Sequence, residues 1–303
     1  MHKIVKKIGF GFLTVVPAVL LIVFNLLSSL IVSIIAASRL LIENPQLMNN
    51  FEEYTAELMK ASLALTDPMM LMYQGMALLC FGLWYVLCYG RKKRPAYAEK
   101  MKLMKLPVIV LLGVMLQIVA SGFVTLMSLL LPTLVAQYNQ MIHMAGLDAP
   151  SVLAVISAVI MAPIVEELCF RGLTYKFAKK IWNSWIFANI LQALLFGIVH
   201  MNLIQGLYAF ILGLLFGYIY EKYHNLFVCM LLHAAINGSG FLYDWLTGMI
   251  PGPFVLLCLI VMNVIALVVV VLCLKILGRV PKRPREEEEV VVKDEHTEEI
   301  HHL

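Results

Sequence analysis

Apolar residues run on without interruption for about 18 positions or more, again and again, along this 303-residue chain. A run of that length, coiled as an α-helix, reaches across about 30 Å of hydrocarbon with its backbone polar groups satisfied internally. Eight such runs lie near residues 8–37, 68–90, 106–135, 150–170, 184–201, 203–222, 225–245 and 251–277. The predicted fold is all-α: a polytopic integral membrane helical bundle of about eight transmembrane helices. An outer-membrane barrel would instead alternate apolar and polar residues at period two. Side-chain chemistry agrees, with 61% hydrophobic and 14% charged residues. Soluble domains hold about half and about a quarter, so a water-soluble globule is excluded, and so is a disordered chain. The first run is too long for a removable secretory signal and reads as a retained span; only Ala36-Ala37 would suit cleavage.

Basic residues test the count. If the runs alternate from a cytoplasmic N-terminus, all of the 23 Lys and Arg except Arg39 and Lys60 fall on one side. They cluster at Lys3 to Lys7, Arg91 to Lys105, Arg171 to Lys180, Lys222, and from Lys275 onward. That asymmetry is the positive-inside pattern and predicts both termini in the cytoplasm. The net charge of +4 therefore reflects membrane-edge anchors. No separable basic and aromatic face suggests a nucleic-acid partner; membrane lipids are the expected surroundings. After Pro281 the chain turns polar and acidic, and 281–303 reads as a disordered cytoplasmic tail carrying His296, His301 and His302. The six cysteines lack CxxC spacing and read as small buried apolar residues.

Ionisable groups inside the bilayer are costly, so the few present mark sites or buried pairs. Glu166, Glu167 and Arg171 sit in the fourth run, His200 ends the fifth, and His233 with Asn237 sits in the seventh. Glu167 and Arg171 are four apart on a helix and can pair. Glu166 is turned about 100° away. Two adjacent carboxylates cannot both ionise cheaply in low dielectric, and pairing Glu167 leaves Glu166 as a desolvated base. His233 and Asn237, also four apart, present two hydrogen-bonding groups on one face, the arrangement an oxyanion needs. Each group has an ordinary packing explanation when taken alone. Their joint occurrence on three polar-containing spans points to chemistry.

Other chemistries fit worse. Ser239 lies in Asn-Gly-Ser-Gly, not a nucleophile elbow, and Asp244 has no GxGD partner for an aspartyl dyad. No HExxH is present, and no phosphate loop. Gly206, Gly213 and Gly217 share nearly one helix face and read as close helix packing.

The motifs EExxxR (Glu166, Glu167, Arg171), FxxxH (Phe196, His200) and HxxxN (His233, Asn237), in that order on separate helices, resemble the CPBP family of intramembrane proteases. This is the CAAX-protease and bacteriocin-processing family, or Abi family, which includes the type II CAAX prenyl endopeptidases. The resemblance covers about residues 150–245. It implies a glutamate-dependent peptidase in which Glu166 and His200 activate water and His233 and Asn237 stabilise the oxyanion. Glu167 and Arg171 would hold the fourth helix, and Phe196 would pack beside the His200 turn. Metal-free catalysis with no cofactor is the family's usual reading, although Glu166, His200 and His233 also form a set able to bind zinc.

The expected organisation is three transmembrane helices in 1–149, a catalytic core in 150–245, a final helix in 246–280 and the tail. The expected partner is a membrane-associated peptide or protein, cut from the cytoplasmic side of a bacterial plasma membrane. Competing readings are a non-catalytic scaffold or bacteriocin self-immunity protein on the same fold, and an ion-coupled transporter. A transporter would want polar groups in symmetric halves. One puzzle is depth: His233 is about eight residues from the turn at His224, whereas Glu166 and His200 are about 15 to 18 residues from a turn near Trp182. Tilt or a partial, re-entrant fifth helix must reconcile them.

Overall fold

The computed structural model describes residues 2–93, 95, 98–144 and 150–281. The predicted acidic tail, with His296, His301 and His302, lies outside the described residues apart from Pro281, as do 145–149 at the first predicted domain boundary. Among the described residues there are ten helices and no strand. They are α1 (His2–Glu43), α2 (Phe51–Leu63), α3 (Thr66–Tyr89), α4 (Leu106–Leu130), α5 (Pro132–Met144), α6 (from Val152–Ile156 through Tyr175–Trp182), α7 (Trp185–Ile198), α8 (Leu203–Tyr223), α9 (Leu226–Gly248) and α10 (Val255–Leu277). Seven of them, α1, α3, α4, α6, α8, α9 and α10, are long and apolar enough to cross a membrane. The protein is an integral membrane helical bundle.

The fifth predicted run departs from expectation. It forms only the 14-residue α7, about 21 Å long, which falls short of about 30 Å of hydrocarbon. The cause is local. Met201 adopts a left-handed backbone (φ 52°), and Asn202 caps α8 by accepting from the Gln205 N–H, so the chain reverses after His200. The third run also divides, at Leu131, where Pro132 opens α5 and lacks the N–H that would continue α4.

Contacts gather the basic segments at one end. Glu99 pairs with Lys105 at 2.9 Å and with Lys222 at 2.7 Å. Lys222 also donates to the Arg279 carbonyl, and Lys179 pairs with Glu221 at 2.6 Å. The Lys180 ammonium lies 4.8 Å from the Phe10 ring centre. The part of α1 around Phe10 and the chain beyond α10 therefore lie at the same end.

Burial ranks the helices. α6 and α8 each bury 44% of their apolar stretch and α9 buries 39%, against 6% for α10. α6, α8 and α9 thus form the centre, while α10 presents Leu256, Ile260, Val264 and Val268 outward, as lipid contact demands. Of the six free cysteines Cys169, Cys229 and Cys273 are buried, but Cys88 is exposed on the last turn of α3, correcting the expectation that all are core residues.

The glycine face of α8 packs as its spacing predicts, with a chemical refinement. A Cβ on Gly206 would meet the Gly197 carbonyl oxygen at 2.9 Å. One on Gly217 would lie 1.8 Å from Asn189 Oδ1. These absences of side chain admit the α7 amides to the α8 backbone. Asn189 Nδ2 donates to the Leu214 carbonyl at 2.9 Å, and Gln192 Nε2 donates to the Gly213 carbonyl at 2.8 Å. Gly217→Ala is therefore expected to destabilise the bundle by about 1–3 kcal/mol through overpacking. Gly11→Ala, where nothing lies within 4 Å, should leave it unchanged. Detergent-denaturation midpoints of the two variants make the comparison.

Candidate active site

The site is built on α6, which is not a regular helix. Two π-helical segments, Ser157–Met161 and Leu168–Thr174, flank the short α-helical stretch that carries both glutamates. Such wide turns shift the register of side chains and loosen the backbone ladder. Neighbouring helices hydrogen-bond the first of them. Asn237 Nδ2 donates to the Ala158 carbonyl at 2.8 Å, and the Ser157 hydroxyl donates to Gln74 Oε1 at 3.0 Å.

Arg171 donates to Glu167 Oε1 at 2.9 Å, with both side chains fully buried. The same oxygen accepts from His233 Nδ1 at 3.0 Å. Glu167 therefore does more than brace α6: it ties α6 to α9 and aims an imidazole. With Nδ1–H donating to Glu167, His233 turns Nε2 toward Glu166, whose Oε2 lies 3.7 Å away. Glu166 itself keeps 17% of its side chain exposed.

His200 is held from its own helix. Its Nδ1–H donates to the Phe196 carbonyl at 2.7 Å; a carbonyl can only accept, so in the neutral ring the bare nitrogen is Nε2. The Phe196 ring meets the His200 ring edge-on at 5.0 Å and the His233 ring at 6.0 Å. Phe216 of α8 stacks on His233 at 5.1 Å. The Arg171 guanidinium lies between the two phenyl rings, 4.8 Å from Phe196 and 4.7 Å from Phe216. Its Nη2 also donates to the Gly213 carbonyl at 3.2 Å.

Glu166, Phe196, His200, His233 and Asn237 line one cavity of about 480 Å³. Three separate helices thus bring the four predicted reacting side chains to a common hollow, with Glu167 and Arg171 in the wall behind His233. The imidazole of His233 lies 3.7 Å from Glu166, and His200 lines the same cavity. Among the described residues, no three His, Cys, Asp or Glu side chains are grouped so as to hold a metal ion.

The depth puzzle resolves through Glu221. This residue, beside the α8–α9 turn, accepts from the Tyr175 hydroxyl at 2.7 Å and pairs with Lys179. The level of that turn therefore matches the interior of the last turns of α6, not their end at Trp182. Glu167 precedes Tyr175 by eight residues and His233 follows Asn225 by eight, so each stands about 12 Å from a shared level.

Sequence reasoning overlooked Phe216, Gln74, Ser157, Asn189, Gln192 and the cavity-lining Tyr73, Gln117 and Tyr208. The amides could have been found as polar residues inside apolar runs. Phe216 carries no signal separable from ordinary core.

Fold and site together define a polytopic helical membrane protein with a carboxylate–imidazole cavity between its helices. Residues 148–239 match the family described as type II CAAX prenyl endopeptidase Rce1-like, the stretch that carries the three motifs. Over 85 residues the chain is 29% identical to the Bacillus subtilis (strain 168) protein named "Putative membrane peptidase YdiL", covering 28% of this chain and 34% of that one. The chain thus spans about a third of the length of the curated relative it matches. No solved structure matches it.

Proposed function

We propose that this protein is an intramembrane endopeptidase that hydrolyses a peptide bond in a membrane-associated peptide or protein without a bound metal. The observation that carries the reading is the meeting of Glu166, His200, His233 and Asn237 on one cavity. The Rce1-like match over the same residues supports it.

In this mechanism a water sits between Glu166 and His200. Glu166 takes a proton as the water oxygen attacks the carbonyl carbon, and His200 Nε2 orients the water. The oxyanion that forms is met by an N–H of His233 Nε2 and by the second amide hydrogen of Asn237, the first being committed to Ala158. The Nδ1–H of His233 is held by Glu167, so this ring donates through Nε2 only in its doubly protonated form. The proton taken from water passes to the amide nitrogen as the C–N bond breaks, giving a carboxylic acid and an amine, and transfer of the acid's proton leaves a carboxylate and an ammonium. A zinc held by Glu166, His200 and His233 would instead polarise the carbonyl or the water. Among the described residues these three side chains are not grouped so as to hold such an ion.

Comparison of membrane-fraction peptides from cells carrying the wild-type protein and cells carrying Glu166→Ala tests the reading. Cleavage products are expected only with the wild type, and identical peptide sets would overturn it. A chelator titration on purified protein separates the two chemistries: activity is expected to persist, and loss restored by zinc would sink the metal-free version. The gathering of basic segments at one end supports that end being cytoplasmic, and the likeness to a Bacillus subtilis protein supports a bacterial plasma membrane. Substrates compatible with the cavity include prenylated C-terminal segments, bacteriocin leaders and regulatory membrane proteins.

A further inference from the structure

The cavity sits off-centre between the two ends of the bundle. Its basic end is marked by Lys179 against Glu221, Lys222 against Glu99 and Lys180 against Phe10. Lys180 also lies over the Tyr89 ring, so α3 reaches that end with its last turn. The opposite end is marked where Ser151, the cap of α6, donates to Asp67 in the first turn of α3. Met70 and Gln74 line the cavity from the two turns that follow Asp67, and Gln74 stands fifteen residues, about 22 Å, from Tyr89. Along α6 the lining runs from Glu166 through Ala162 to Ser157, and along α8 from Phe216 through Leu212 to Gln205. Both rows lead away from the basic end.

Exposure has the same polarity. Between Glu166 and the basic end, every residue from Leu168 to Thr174 is buried, and Tyr175, Tyr220 and Tyr223 are fully buried beyond them. Side chains packed to that density leave no path for a peptide. In the other direction the lining opens. Met201, in the turn between α7 and α8, is 77% exposed, Leu26 of α1 is 60% exposed, and Asn25 beside it is exposed too. Asn25, Gln205 and Tyr208 bring uncharged donors and acceptors to this approach. They suit an extended peptide, whose backbone groups are no longer satisfied within a helix and need partners where water is scarce.

We infer that the cavity is entered from the end opposite the basic segments, between α1 and the α7–α8 turn, and takes an extended peptide segment presented from the extracytoplasmic half of the membrane. Cleavage of that segment rests on the peptidase reading, and the side rests on the basic end being cytoplasmic. The route rests on neither, because it follows from where the lining residues stand and which of them are open. It reverses the expectation of attack from the cytoplasmic side.

Thiol accessibility tests the route without turnover. Native Cys88, exposed on the last turn of α3, reports the basic end, Gln205→Cys the mouth and His200→Cys the reacting groups. Spheroplasts and inverted membrane vesicles carrying each full-length variant are treated with a permanently charged methanethiosulfonate, and labelling rates are read at each site by mass spectrometry. Charge crosses hydrocarbon so reluctantly that a thiol on the far side should label at least about tenfold slower. Both introduced thiols are expected to label in spheroplasts, and Cys88 in inverted vesicles. Cavity thiols labelling from the same side as Cys88 would overturn the route, as would equal labelling from both sides or labelling only after detergent. Asn25→Cys, at an exposed position, repeats the measurement should a substitution deeper in the cavity disturb folding. Cys88 labelling in spheroplasts and the cavity thiols in inverted vesicles would overturn the extracytoplasmic assignment. The peptidase reading fails separately, through unchanged peptides in Glu166→Ala cells.

Discussion

Glu166→Gln is expected to reduce peptide cleavage by about 10³-fold or more, the scale that a positioned base contributes. The substitution keeps size and hydrogen-bonding shape but removes the carboxylate that the proposed mechanism uses to accept a proton from water. Its effect on folding should be small, because Glu166 borders the cavity with 17% of its side chain exposed and lies 3.7 Å from His233 Nε2. Turnover of an identified substrate by protein in vesicles, compared at equal amounts of monodisperse enzyme, gives the measurement. Activity within tenfold of wild type would remove Glu166 from the chemistry.

Arg171→Ala is expected to act on the fold instead, at about 3–5 kcal/mol, the usual consequence of breaking a buried ion pair from one side. Arg171 is fully buried, joins Glu167 and the Gly213 carbonyl, and lies between two phenyl rings. Its removal leaves Glu167, which already has one oxygen without a hydrogen-bond partner, with His233 alone. Removing both charges in Glu167→Gln with Arg171→Met should cost less than Arg171→Ala, because no uncompensated charge is then buried. Thermal aggregation followed by fluorescence-detected size exclusion ranks the variants. An Arg171→Ala protein as stable as Lys102→Ala would contradict this account.

These two expectations separate groups that the linear motif merges. In EExxxR the adjacent glutamates look alike, yet one side chain opens on a cavity and the other is sealed against α8 and α9. The i, i+4 rule correctly paired Glu167 with Arg171, since both lie on one helix. It could not reveal the bond from His233 to the same carboxylate oxygen, which depends on the rotation of α9. The same holds for Asn237. Its spacing from His233 is legible, but its bond to the Ala158 carbonyl depends on a π-helical turn in α6 that has no marker in the residues.

Hydropathy is a property of consecutive residues, so membrane class, the approximate number of traverses and the gathering of basic loops could be read from the chain alone. The rarity of ionisable groups in lipid likewise exposed Glu166, Glu167, Arg171, His200 and His233 without coordinates. Three matters required the folded molecule: that the fifth run stops after 14 residues, that Phe216 stacks on His233, and that Tyr175 and Lys179 level α6 against the α8–α9 turn through Glu221. Each is settled by how helices rotate and slide against one another. Those displacements follow from close packing and cross-helix hydrogen bonds between residues far apart in the chain, which no local pattern records.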